Sequence, residues 1–223
     1  MCTRTRFIKL LKKASFPSVF NPYTDRCKSW DLYAAPRIRE RNLQIFMEAV
    51  EGSVESIWFG RDLGYLGGRR TGLALTDEAH LEDLQNLSGS CGLQVATSGP
   101  MVAERTATTT WNILRQLSHS PFLWNIFPFH PYSGDDQSTN RCHTRNERLA
   151  CTHILNMLME WAPSARLIAI GHDSARGLRE AGLECTLVRH PSYGGKAEFV
   201  SGIRNIYADD ISATSKGKQH DLF

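Results

Sequence analysis

Two hydrophobic rhythms alternate along this chain. Short, nearly unbroken apolar runs occur at Val54–Phe59, Phe122–Phe127, Ala165–Ile170 and Cys185–Val188. Runs of that length, bounded by Gly, Pro or polar residues, predict strands buried on both faces. Between them the spacing becomes helical. Leu43, Phe46, Met47 and Val50 predict a helix over 37–51 closed by Gly52, and Thr76 or Asp77 is the N-cap of a helix reaching about Leu87. Further helices are expected over 103–117, over 145–161 up to Pro163, over 174–181 behind an Asp173 cap, and over 197–207. Strands alternating with helices imply a parallel sheet covered on both faces, hence a doubly wound α/β/α sandwich around about four parallel strands.

The flanks read differently. Residues 1–36, with Pro17, Pro22, Pro36 and aromatics Phe16, Phe20, Tyr23, Trp30 and Tyr33, predict an irregular segment wrapping its rings around the body. A single α/β domain is expected over 37–208, with a polar, disordered tail over 209–223. Residues 128–140 read as a polar loop.

Charge changes the picture locally. The chain of 223 residues carries a net +3, but Arg4, Arg6, Lys9, Lys12 and Lys13 supply five positive charges; +3 less these five leaves −2 for the rest. Residues 1–13 thus read as a solvated basic arm, faintly like a transit peptide. Basic residues recur in the loop after the first strand and at Lys216 and Lys218, a layout that suits a polyanionic partner without demanding one. Six scattered cysteines without a C-x-x-C pair read as reduced thiols of a cytoplasmic protein (nucleoid-associated if bacterial), not as a disulfide or zinc framework. No apolar run is long enough to span a membrane.

Candidate chemistry concentrates where strands end. Gly60-Arg61-Asp62-Leu63-Gly64-Tyr65-Leu66-Gly67-Gly68-Arg69-Arg70-Thr71-Gly72 mixes glycines that permit close approach with arginines that suit phosphate. Asp62 is either the salt-bridge partner of these arginines or a carboxylate held for chemistry. Asn125, an amide inside an apolar strand, is either a structural hydrogen-bonding group or a bidentate reader of a ligand edge. His190-Pro191-Ser192 leads from a strand into a helix start, where Ser192 and Lys196 could meet an anion, although a lone histidine there can be structural. In a doubly wound sheet these positions gather on one rim. The other histidines, His143 among them, carry no signal of their own.

Taken together, Gly60-Arg61-Asp62-Leu63-Gly64, Asn125 at the end of an apolar strand, and His190-Pro191-Ser192 resemble the three motifs of the uracil-DNA glycosylase superfamily, over roughly residues 37–207. Gly60-x-Asp62 is similar to the G-Q-D-P-Y-H loop of one branch, and Gly72-Leu73-Ala74-Leu75 to its G-L-A-F. Arg70-Thr71-Gly72 is similar to the R-T-G of the thermophile branches. The resemblance implies a monofunctional enzyme that flips uracil out of DNA and hydrolyses its N-glycosidic bond, with no metal and no cofactor. It implies that Asp62 orients the attacking water, His190 donates to uracil O2, Asn125 reads O4 and N3–H, and the backbone at Gly60, Arg61 and Asp62 meets the base beside Leu75. Arg69, Arg70, Ser192 and Lys196 are the candidates for phosphate, and Tyr193 for the side chain that enters the stack. The partner is uracil-containing DNA, single- or double-stranded, and the protein is expected to be a monomer.

Departures from the motifs mark a divergent branch. Leu75 replaces a stacking Phe, leaving Phe127 as a candidate stacker, and Gly64 replaces a Tyr that would block the thymine methyl, leaving Tyr65 as its candidate substitute. The iron–sulfur cysteine spacing of the thermophile branches is absent. A broader base range, a non-turnover damaged-DNA binder or covalent trap, and a flavodoxin-like nucleotide-binding module are the rival readings.

Overall fold

In the computed structural model, which describes residues 3–208 and 211, the four expected strands form one parallel sheet. They are β2 (Ser56–Asp62), β3 (Phe122–Phe127), β5 (Arg166–Ile170) and β6 (Thr186–Val188), in the order β3-β2-β5-β6. Parallel register pairs Ile57 with Phe122, Gly60 with Asn125, Phe59 with Ala169 and Ile170 with Val188. The chain leaves β2 toward β3 and leaves β5 toward β6, so connections diverge between β2 and β5. A doubly wound sheet opens its ligand crevice at such a switch point, beyond the carboxyl ends of the strands.

Helices cover both faces. On one, Trp58 meets Phe199 of α9 (Lys196–Ile206), with ring centroids 6.4 Å apart. On the other, Phe122 stacks on Phe46 of α2 (Ala35–Val50) at 5.0 Å and meets Trp161 of α7 (Thr152–Trp161) at 4.9 Å. Also in place are the short α3 (Gly68–Thr71), α4 (Leu81–Ser88), α5 (Arg105–Leu114) and α8 (His172–Glu180), the last packed on β2, β3 and β5.

The amino-terminal segment differs from expectation. Thr3–Lys13 is a helix, α1, with Phe7, Ile8 and Leu11 buried and Phe7 against Trp124 at 5.2 Å. Two of its cations are paired, Arg4 with Glu48 and Glu51 and Lys12 with Glu40, while Arg6, Lys9 and Lys13 are exposed as expected of a solvated arm. Val19–Phe20 (β1) pairs antiparallel with His130–Pro131 (β4), so neither 1–36 nor 128–140 is wholly irregular. The expected wrapping of the rings holds only in part: Phe20 and Tyr23 are buried, whereas Trp30 and Tyr33 are exposed. The expected helix over 145–161 is two, α6 (Arg145–Ala150) and α7, because Cys151 leaves helical geometry. Asp77 caps a 3-10 turn, Glu78–His80, that leads into α4, whereas Asp173 lies inside α8 rather than capping it. The tail expected over 209–223 falls outside the described residues apart from Ile211. Among the described residues no helix is long and apolar enough to cross a membrane.

Candidate functional site

The carboxyl ends of all four strands contribute to one cavity of about 510 Å³. Gly60, Arg61 and Asp62 come from β2, Asn125 from β3, Ile170 with Gly171 and His172 from the end of β5, and Arg189, His190, Ser192 and Tyr193 from beyond β6. Leu75 also lines it, with φ at +54°, a left-handed backbone uncommon for leucine and found where local structure is imposed by a site.

Asp62 is tied on both oxygens. Nε of Arg61 donates to Oδ2 at 2.6 Å, and Nδ1 of His143 donates to Oδ1. Arg61 continues to Asp173 at 3.3 Å. Asp62 is therefore a salt-bridge partner as well as a cavity residue, though its arginine is Arg61 rather than Arg69 or Arg70. Each carboxylate oxygen keeps a second lone pair, so the group is oriented without being used up.

Asn125 is 2% exposed, and its Oδ1 lacks a hydrogen-bond partner among the described residues. A side chain on Gly60, its register partner, would collide with that oxygen, so glycine is required there. An unpaired buried acceptor costs about 1–3 kcal/mol. A purely structural amide would not carry that cost, because the usual resolution is a neighbouring donor.

The bonds of His190 fix its tautomer. The Ser192 backbone N–H donates to Nδ1 at 3.2 Å, and the Ser192 hydroxyl lies 2.7 Å from the same nitrogen. Nδ1 is thus an acceptor, and the neutral ring carries its proton on Nε2. Burial, then the charges of Arg61 and Arg189, hold the imidazole below its ordinary pKa, so it is neutral at neutral pH. The site therefore combines an oriented carboxylate, a buried amide lacking one partner and a neutral imidazole with an N–H to donate.

The other expected site residues divide between the cavity and the body of the fold. Arg69 and Arg70 are only 4% and 6% exposed. Arg70 Nε stands 3.1 Å from Glu78 and its NH2 group bonds Thr97 at 2.7 Å, while Arg69 lies over Phe20 and Tyr65 and bonds Gln137. Neither is placed to meet a phosphate, because neutralising Glu78 and packing on rings use these guanidinium groups inside the fold. Ser192 spends its hydroxyl on His190. Lys196 opens α9, where it lines a separate surface hollow with Ala197 and Val200. Phe127 is fully buried among Phe16, Phe129 and His143, and Tyr65 packs near Arg69 and His130, so neither borders the cavity. Tyr193 stands at the rim, 96% exposed with φ at +52°.

His143 was not legible as a site residue, since a histidine in a polar loop has no period to betray it. Glu104 and Arg189 border the cavity as well and were equally silent.

No family model matches the chain, and no curated protein matches it. Among solved structures, the crystal structure of wild-type SMUG2 from Pedobacter heparinus is similar to it with a TM-score of 0.62, covering 98% of this chain and 99% of that one at 12% identity. At that identity the likeness is one of fold, and it extends over the whole α/β sandwich.

Proposed function

We propose that this protein is a monofunctional DNA glycosylase that releases uracil from a nucleotide extruded from DNA. The observation that carries the reading is that Asp62, Asn125 and His190, drawn from three strand ends, border one cavity. SMUG2 belongs to the uracil-DNA glycosylase superfamily, and the shared fold supports the same coarse class here.

The chemistry follows from the three groups. Water adds its oxygen to C1′ as the C1′–N1 bond breaks, the bonding pair leaves with uracil, and the proton released by water ends on the departing base. Asp62, held by Arg61 and His143, aligns the water and offsets positive charge growing on the sugar. Nε2–H of His190 donates to O2 as negative charge grows there, an interaction strongest in the transition state. Asn125 accepts N3–H with Oδ1 and donates to O4. Cytosine presents the reverse pattern and leaves the amide unpaired, which is where large discrimination originates. At the rim, Arg189 is the cation available to backbone phosphate in place of Arg69 and Arg70, and Tyr193 the side chain available to fill the gap left in the stack.

An oligonucleotide bearing one uracil, incubated with catalytic amounts of protein and then treated with alkali, tests the reading. Strand scission over many turnovers is expected. A shifted, heat-stable band without turnover would favour the covalent-trap reading instead.

A further inference from the structure

Glu104 has no part in the chemistry above, yet it borders the same cavity. It precedes α5, and its backbone N–H donates to Oδ2 of Asp77 at 2.5 Å. Asp77 is fully buried and engages His80 through its other oxygen, so Glu104 is anchored to a rigid point. Its side chain then crosses to the glycine loop. Oε1 lies 2.8 Å from where a Cβ on Gly64 would stand, and Oε2 would collide with one on Gly67. The carboxyl thus occupies the space that a side chain on either glycine would take.

The order of atoms round a pyrimidine locates what this carboxyl faces. O2 is followed by N3, then C4 with O4, then C5 and C6. With His190 on O2 and Asn125 on N3 and O4, the edge left over is C5–C6, and Glu104, set against Gly64, lines the same cavity while belonging to neither contact. We infer that the Glu104 side chain forms the wall against the C5–C6 edge and sets which five-position substituents the cavity admits. This rests on the uracil-excision reading. A hydrogen at C5 fits beside the carboxyl, whereas a methyl meets it. Burial, and then the nearby charge of Asp77, raise the Glu104 pKa to about 7. Below that pH the wall is neutral and does not oppose a base gathering negative charge; above it, the ionised carboxyl does.

Single-turnover excision of uracil and of thymine opposite guanine, by wild type, Glu104→Ala and Glu104→Gln, tests this. Glu104→Ala is expected to raise the thymine-to-uracil rate ratio by roughly tenfold or more, the scale at which a pocket resolves one methyl group. Glu104→Gln keeps the shape and holds the ratio near wild type, but loses the decline in uracil excision expected of wild type as pH rises through about 7. Should Glu104→Ala fail to fold, Glu104→Ser gives the same comparison. Intact uracil release with an unchanged ratio in the shortened variant, or a persistent alkaline decline in Glu104→Gln, overturns the inference and leaves the excision reading standing. Wild type that releases no uracil overturns both.

Discussion

His143 Nδ1 donates to Oδ1 of Asp62 from 81 positions along the chain, and both side chains are more than nine-tenths buried. The imidazole does not border the cavity; it stands behind the carboxylate with its ring against Phe127 at 5.3 Å. It is a positioning residue, fixing a carboxylate that Arg61 holds from the other side.

Replacing His143 by Ala should therefore lower the single-turnover rate by roughly 10–100-fold, the scale of a misplaced catalytic group. Affinity for uracil-containing DNA should stay near wild type. His143→Asn, whose amide can donate from nearly the same place, should recover much of the rate. A merely structural histidine would show matching losses in both variants.

His190 should remain neutral at pH values where an ordinary histidine is half protonated. Burial comes first among the causes, then Arg61 and Arg189, so Arg189→Ala should raise the pKa toward the ordinary value. NMR titration of the ring nitrogens reads this directly and should also find the neutral-state proton on Nε2. The sign for stability follows: as pH falls below the ordinary 6.5, the unfolded chain takes up the proton first, so stability from this group is complete above that pH and is lost as pH drops through the native value.

Arg70 divides a DNA role from a folding role. Its removal leaves Glu78 buried without its ion-pair partner, so Arg70→Ala should destabilise by about 3–5 kcal/mol in chemical unfolding. The DNA affinity of the remaining folded protein, and its dependence on salt, should be unchanged. A flatter salt dependence would return Arg70 to the interface.

Tyr193 is so exposed that its loss should not affect stability. Tyr193→Ala should slow excision from double-stranded DNA by roughly tenfold, since extrusion there must offset a few kcal/mol of unstacking. Excision from single strands should change little. Equal losses on both substrates would remove Tyr193 from the stack.

The sheet was legible because each strand is an apolar run and each long helix carries its stripe: Val54–Phe59 foretold β2 and Phe122–Phe127 foretold β3. Gly60, Asp62, Asn125 and His190 were legible because parallel strands bring their ends together. What failed was tertiary pairing. Phe7, Ile8 and Leu11 make a narrow stripe among five cations, and the acidic partners of Arg4 and Lys12, which are Glu40, Glu48 and Glu51, lie on another helix or just past its end. Arg70 looked available because nothing local says that Thr97, 27 residues on, receives it. The expected helix start at Arg145 agrees with α6, and the Thr144-x-x-Glu147 capping box accounts for it, but the break at Cys151 has no such local signal. His143 and Glu104 sit in segments without periodicity, where only the folded chain reveals what they touch.

The most direct test counts free uracil released from a single-uracil oligonucleotide by wild type, Asp62→Asn and Asn125→Asp. Wild type should release many equivalents per protein molecule. Asp62→Asn should fall by roughly 100-fold or more while still binding the DNA, and Asn125→Asp should lose its preference for uracil. Uracil released by Asp62→Asn at the wild-type rate, or none released by the wild type, would contradict the assignment.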